Sequence, residues 1–139
     1  MKYIDQAFNH PSYTHEMGLD RTESNQILEY LGDAVYELII RKYLIERYPD
    51  RDEGWQTVKK NEFTNQAFQA DLAKHYRLHD RLRLGKGEMK TGGKEKESIL
   101  AQTLEALIGA IFLERGFDFT EEFLIKLLNG FIKAESPGK

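Results

Sequence analysis

With 139 residues, 40% of them apolar and 31% charged, the chain reads as one folded domain, 1–139, long enough for a real core. It has no cysteine, which excludes disulfides, thiolate zinc sites and cysteine nucleophiles, and its four scattered histidines do not rebuild a zinc site. A net charge of −3 argues against a generally basic nucleic-acid-binding surface; the polar, broken start Met1–His10 and the lack of any run near the ~20 apolar residues of a membrane span predict a soluble, cytoplasmic protein without membrane contact.

The pattern predicts an all-α fold. Tyr3–Phe8 reads as a short opening helix, His10-Pro11-Ser12 as a turn, and Met17–Thr22, with Gly18, as a loop. Ser24 or Thr22 is placed to cap a long helix that runs to about Tyr48, where Pro49-Asp50 stops it. Asp52 caps the next helix. Val58, Phe63, Ala67, Phe68, Leu72 and Ala73 recur at helical spacing across two helices. His75–Leu84 is a short helix or turn with Tyr76, Leu78, Leu82 and Leu84 inward. Gly85–Gly93 holds four glycines and is expected to be non-helical. A further helix starts near Glu97 and ends at Gly116 as its C′ residue. Asp118-Phe119-Thr120-Glu121 resembles a capping box for a last helix from Thr120 to about Ala134, and Glu135–Lys139 is expected to fray.

Two of these helices carry acids where apolar residues surround them. Asn25–Val35 places Glu29 and Asp33 four residues apart, hence on one face, in a run that continues through Leu38, Ile39 and Ile40. Glu105 is the only formal charge between Ser98 and Leu113. Buried carboxylates are costly without a counter-charge, and a hard divalent cation is the natural one for a pair of them. The other reading is that arginine or backbone donors hold these acids. Glu37 has drifted roughly 80° from the stripe and is expected at solvent or paired with Arg41.

Other motifs carry less. His15-Glu16 starts like a metalloprotease helix, but Leu19 stands where the second histidine belongs. Gly87 and Gly92 have phosphate-loop separation, yet Gly93 takes the lysine position and no apolar strand precedes it. Arg77–Lys96 gathers Arg77, Arg81, Arg83, Lys86, Lys90, Lys94 and Lys96 against Asp80, Glu88 and Glu95. That segment is either a local phosphate-binding surface or a solvated loop. Trp55, beside Gly54 at a helix start, receives no role.

In order along the chain, these segments resemble the catalytic domain of the ribonuclease III family. The matching blocks are Phe8–Tyr13, the signature helix Asn25–Val35, Tyr48-Pro49 with Asp52-Glu53-Gly54, Leu82–Glu88 with Thr91-Gly92-Gly93, and Ser98–Ala110. The resemblance implies an all-helical homodimer that cleaves double-stranded RNA to 5′-phosphate and 3′-hydroxyl ends with Mg²⁺, for which Mn²⁺ substitutes. Glu29, Asp33 and Glu105 match family metal ligands, and Glu53 a further acid of the family site. Lys86, Lys90 and Lys94 would meet the phosphates. Tyr30 matches the aromatic that plugs the partner subunit, usually Phe, so its hydroxyl needs a partner at the interface. Where the family has aspartate, three residues before the last glutamate, this chain has Gln102, a neutral oxygen donor at the metal; Gln26 likewise stands where glutamate is usual. The family's double-stranded-RNA-binding domain is not found in this sequence. The two glutamines leave a second reading, a lapsed enzyme kept as an RNA- or ribonucleoprotein-binding dimer.

Overall fold

The two long apolar runs become the two long helices, and the rest of the chain is arranged around their crossing. The computed structural model describes Lys2–Glu135; the expected fraying of 136–139 lies outside the described residues. Among the described residues seven α-helices follow in order, α1 (Lys2–Gln6), α2 (Pro11–Glu16), α3 (Gln26–Arg47), α4 (Glu53–Thr64), α5 (Gln66–His75), α6 (Lys86–Lys90) and α7 (Glu97–Glu135), with 3-10 turns at Arg21–Glu23, Leu78–Asp80 and Gly93–Glu95. The described residues contain no strand, so the all-α expectation holds.

α3 and α7 pack with backbone against backbone. Gly32 of α3 faces Gly109 of α7, and a Cβ built on either would stand 2.9 Å from the other's backbone nitrogen. The Gly32 Cβ would also strike the Glu105 carbonyl oxygen, and the Gly109 Cβ the Leu28 carbonyl oxygen. Around this crossing Tyr36, Ile39, Ile40 and Leu44 of α3 form one core with Leu72 and Ala73 of α5 and Leu100, Leu104 and Ile108 of α7. Leu124 and Leu128 close the core because α7 breaks at Gly116, whose φ of 82° and ψ of 178° suit glycine alone. The break is at the expected residue. The arm after it, however, starts directly beyond Gly116 rather than at Thr120. Thr120 is buried inside the arm and its hydroxyl donates to the Gly116 carbonyl at 2.7 Å, so the expected capping box does not form.

Three further boundaries differ. Residues read as a turn open α2, where Pro11 takes the first helical positions and the His10 ring accepts from the Ser12 N–H. Asn25 holds the N-cap position of α3, but the expected Ser24 still serves the helix start, its Oγ accepting from the Gln26 N–H at 3.3 Å. The Asn25 side chain leaves the helix end and donates instead to the Ala7 carbonyl at 3.0 Å. Residues 86–90, expected to be non-helical, form α6. The short helix is held because its first N–H groups find outside acceptors: Gly85 N–H donates to Ser12 Oγ and Lys86 N–H to Glu16 Oε2. Asp52 caps α4 as expected, accepting from the Trp55 N–H at 2.9 Å.

The N-terminal segment straps the chain's middle. Asn9 and Arg83 form a parallel β-bridge, Arg83 N–H donates to the Phe8 carbonyl, and Arg83 Nε donates to Asn9 Oδ1 at 2.6 Å. On the opposite side α3 keeps an apolar stripe exposed. Ile27, Tyr30, Leu38 and Ile45 share one helical face, with Tyr30 79% exposed.

Gly109→Ala should destabilise the protein by about 1–3 kcal/mol or more, because its methyl group enters the Leu28 carbonyl of a rigid helix. Gly87→Ala, with open space around it, should leave stability unchanged or raise it slightly. Urea melts of the two variants compare them directly, and equal midpoints would contradict the close crossing.

Candidate active site

The glycine crossing decides where the acids go. Glu29 lies one turn before Asp33 on α3, and Glu105 lies one turn before Gly109 on α7. With the Glu105 backbone touching Gly32, the three carboxyl groups converge on one edge of the crossing. Glu29 and Glu105 are half-buried and Asp33 is exposed.

The acids interact as like charges. Burial, above all, pushes the Glu105 carboxyl up to about 8; its hydrogen bond with Asp33 and the charges of Asp33 and Glu29 act in the same direction, and a hydrogen bond from Gln69 opposes them. Burial, then Asp33, also raises Glu29. Among the described residues no Lys, Arg or His forms an ion pair with Glu29, Asp33 or Glu105. Glu37, by contrast, is fully paired, with Arg41 and Lys60 both at 2.8 Å. The reading in which arginine neutralises the buried acids is therefore not what the fold does.

The expected ligand set is only partly assembled. Among the described residues no three His, Cys, Asp or Glu side chains stand close enough to ligate one ion. The donors nevertheless suit a hard cation in kind: they are carboxylate oxygens, mutually repelling and without a cationic partner. Gln102 is half-buried one turn before Glu105, and no described hydrogen bond ties its amide to the three acids. Gln26 is exposed at the first residue of α3.

Glu53 does not join this cluster. It opens α4 and lines a cleft of about 290 Å³ with Arg41, Leu44, Ile45, Gln56 and Lys60. Arg41 lies eight residues beyond Asp33, roughly 12 Å along α3. Trp55, at the same end, packs edge-on against Tyr48 with the Arg51 guanidinium over its ring, a structural place.

Of the three lysines, Lys86 and Lys90 are exposed on α6 and Lys94 is half-buried in the turn that follows. None of the three side chains forms an ion pair with a described residue, and only the backbone N–H of Lys86 is engaged, donating to Glu16 Oε2, whereas Lys96 is held by Glu88 at 2.5 Å. These three side chains precede the N-terminal end of α7 and are free to meet solvent or an anion alike.

One site residue was missed in the sequence. Gln69 of α5 is buried, and its amide opposes the upward shifts of the Glu105 carboxyl and the Tyr36 hydroxyl. Its signal is a polar residue at the positions three and four before Leu72 and Ala73, on the apolar face of α5.

The Ribonuclease-III-like family profile matches residues 2–130. Proteins named ribonuclease 3 from Streptococcus gordonii and Natranaerobius thermophilus are 38% and 42% identical over 90% and 91% of this chain, which in both cases is 54% of the relative. The chain therefore spans about half the length of the curated relatives it matches. The nuclease domain of ribonuclease III from Campylobacter jejuni, in a structure showing flexibility in the region involved in dimer formation, has a TM-score of 0.85 at 34% identity, covering 92% of this chain and 85% of that one. A second structure of that domain has a TM-score of 0.80 at 32% identity, covering 99% and 86%.

The raised acids make stability depend on pH. Unfolded Glu105 titrates near 4.5 and folded Glu105 near 8, so between these values the folded state binds more protons. Stability without metal should therefore fall as pH rises from about 4.5 to about 8. His10, lowered chiefly by burial, acts in the opposite sense near 6.5 and is common to parent and variant. Melting temperatures in EDTA should show a flatter pH profile for Glu105→Gln and a higher melting point than the parent at pH 8. Identical profiles would show that Glu105 does not titrate abnormally.

Proposed function

The chain belongs to the ribonuclease III-like family, and from that premise we propose that it acts as a homodimeric, Mg²⁺-dependent endoribonuclease domain cleaving double-stranded RNA. The observation that carries this reading is the convergence of Glu29, Asp33 and Glu105 across the Gly32–Gly109 crossing without a cationic side chain. Relatives named ribonuclease 3 support it. In this reading residues 1–139 work as one domain in the cytoplasm. No helix of the described residues is long and apolar enough to cross a membrane.

Glu29, Asp33 and Glu105 would hold the ion, with Gln102 as a neutral donor and Mn²⁺ as a substitute. When bound, Mg²⁺ supplies charge stabilisation at phosphorus and an acidified water for in-line attack, giving 5′-phosphate and 3′-hydroxyl ends. The chain's own part begins with deprotonation. Glu105 and Asp33 share a hydrogen bond as they stand, and the proton must leave before both can act as ligands. Lys86, Lys90 and Lys94 would meet phosphates by charge, reading duplex shape rather than sequence.

The dimer follows from the exposed stripe of α3. An antiparallel pairing of Ile27–Ile45 with its copy brings Tyr30 to the Arg41–Ile45 end of the other protomer, into the cleft that Glu53 lines. Gln56 and Thr57 in the cleft wall offer the Tyr30 hydroxyl polar partners. The same pairing carries Glu53 of the partner subunit toward Glu29 and Asp33, which accounts for its distance from the acids of its own chain. Gln102 is the observation that favours the second reading, a lapsed enzyme that binds RNA as a dimer.

Long duplex RNA should be cut when Mg²⁺ or Mn²⁺ is added and left intact in EDTA. Gln102→Asp should raise cleavage and enlarge the rise in melting temperature on adding Mg²⁺, because it restores a ligand charge; Glu105→Gln should abolish cleavage. No cleavage by parent or Gln102→Asp, with duplex binding retained, would establish the lapsed enzyme instead.

Sedimentation should give a species of twice 16.2 kDa at micromolar concentration. Tyr30→Asp should return it to the monomer by burying an unpaired charge at the contact. A monomeric parent would refute the dimer.

A further inference from the structure

A second recess lies where α7 breaks. It is a cavity of about 400 Å³ between α7, α5 and the chain's first residues. Leu107 and Ile111 line it from before Gly116, and Phe119 and Phe123 from after it. Deeper in stand Phe8, 1% exposed, and Leu72 of α5, fully buried. Tyr76, the one lining residue with a hydroxyl, spends it on the Leu127 carbonyl at 2.6 Å. No acid, lysine or histidine lines the cavity among the described residues; its only charges are Arg81 and Arg115. Both are exposed, so they stand where the cavity meets solvent. The Arg81 guanidinium lies over the Phe8 ring, 4.3 Å from its centroid, and the Arg115 guanidinium over the Phe119 ring at 5.4 Å. Arg81 forms no ion pair with a described residue. The neighbouring Glu114 carboxylate is turned to the Ile4 N–H at 2.7 Å.

We propose that this cavity binds a single-chain anionic amphiphile, a fatty acid in chemical class, with its tail among Leu107, Ile111 and Phe123 and its carboxylate at Arg81 and Arg115. Apolar recesses of about 300–1,000 Å³ with a few polar groups at fixed points are what small ligands occupy. The apolar wall rejects a polar molecule such as a nucleotide, whose groups would be buried without partners. A guanidinium stacked on a ring keeps its N–H edge for a carboxylate, so the stacking that holds both arginines in place does not use up their donors. At about 400 Å³ the cavity is at the small end of the range, which suits one chain better than a diacyl lipid. The whole chain carries a charge of −3, so a preference for anions has to come from these two side chains. The lining shares no residue with the acid cluster or the three lysines, so the outcome is independent of the nuclease reading.

The test needs neither RNA nor metal. Decanoate, decanol, decylammonium and acetate are compared on the purified chain, below their micelle-forming concentrations, by calorimetry and by the rise in melting temperature. Decanoate should bind and stabilise, more tightly than decanol; decylammonium and acetate should do neither. Arg81→Gln should weaken decanoate about threefold or more, as loss of one exposed ion pair does, and leave decanol unchanged. Leu127→Trp, at a half-buried lining position, fills the cavity and should abolish both. Decylammonium equal to decanoate, or decanoate binding unchanged in Leu127→Trp, would refute the site. So would the lack of any response to decanoate in the millimolar range. Flotation with phosphatidylglycerol vesicles but no response to decanoate would establish a membrane-surface contact in its place. Should Leu127→Trp fail to fold, the methyl resonances of Leu107 and Ile111 in the parent decide: they should move as decanoate is added, and fixed positions would refute the proposal.

Discussion

The contact of Gly32 with Gly109 is the constraint on which the rest of the structure depends. Two helices whose backbones touch leave no room for a side chain between them, so the residues flanking the contact are forced to its edges. On one edge those residues are Glu29, Asp33 and Glu105. Elsewhere around the crossing they are Tyr36, Ile39, Leu104 and Ile108, which build the core. The same two glycines therefore fix the core and the acids, and neither can be altered alone.

The acids sit at odds with the core that positions them. Half-buried carboxyl groups that raise one another's affinity for protons destabilise a fold that lacks a cation, and nothing among the described side chains compensates with charge. What the fold supplies instead is polar and neutral. The Tyr36 hydroxyl of α3 donates to the Phe63 carbonyl of α4 at 2.6 Å, and the buried amide of Gln69 on α5 opposes the upward shifts of Tyr36 and Glu105. Such groups constrain the packing around the acids without neutralising their charge.

The parts legible in the sequence are those where a residue contradicts its neighbours. Glu105 stands out as a lone charge in an apolar helix, Glu29 and Asp33 as a pair at one-turn spacing, and Asp52 as a cap beside a proline stop. Gly116 is legible because an apolar pattern passes through a residue that breaks helices. The parts that were not legible depend on partners distant in the chain. α6 forms despite its glycine because Ser12 and Glu16 accept its first N–H groups, some seventy residues away. Asn25 abandons its cap for Ala7, and Thr120 bonds backward to Gly116 rather than forward as a cap. Gln69 shows only as one polar residue on an apolar face, and the groups it stands beside, Tyr36 and Glu105, come from two other helices. Glu53 matches the family pattern but opens α4 beside Arg41 and Ile45, so spacing along the chain says nothing of its distance from Glu29 and Asp33.

The strap between Asn9 and Arg83 has a consequence for how the molecule may be trimmed. The carboxyl cluster is anchored by α3 and α7, but the α6 lysines are anchored through α2 and the first nine residues. The two halves of the surface thus hang from different parts of the chain. A truncation or bulky fusion at the amino terminus would release the basic arm while sparing the acids, so the two can drift apart in evolution or be separated by engineering.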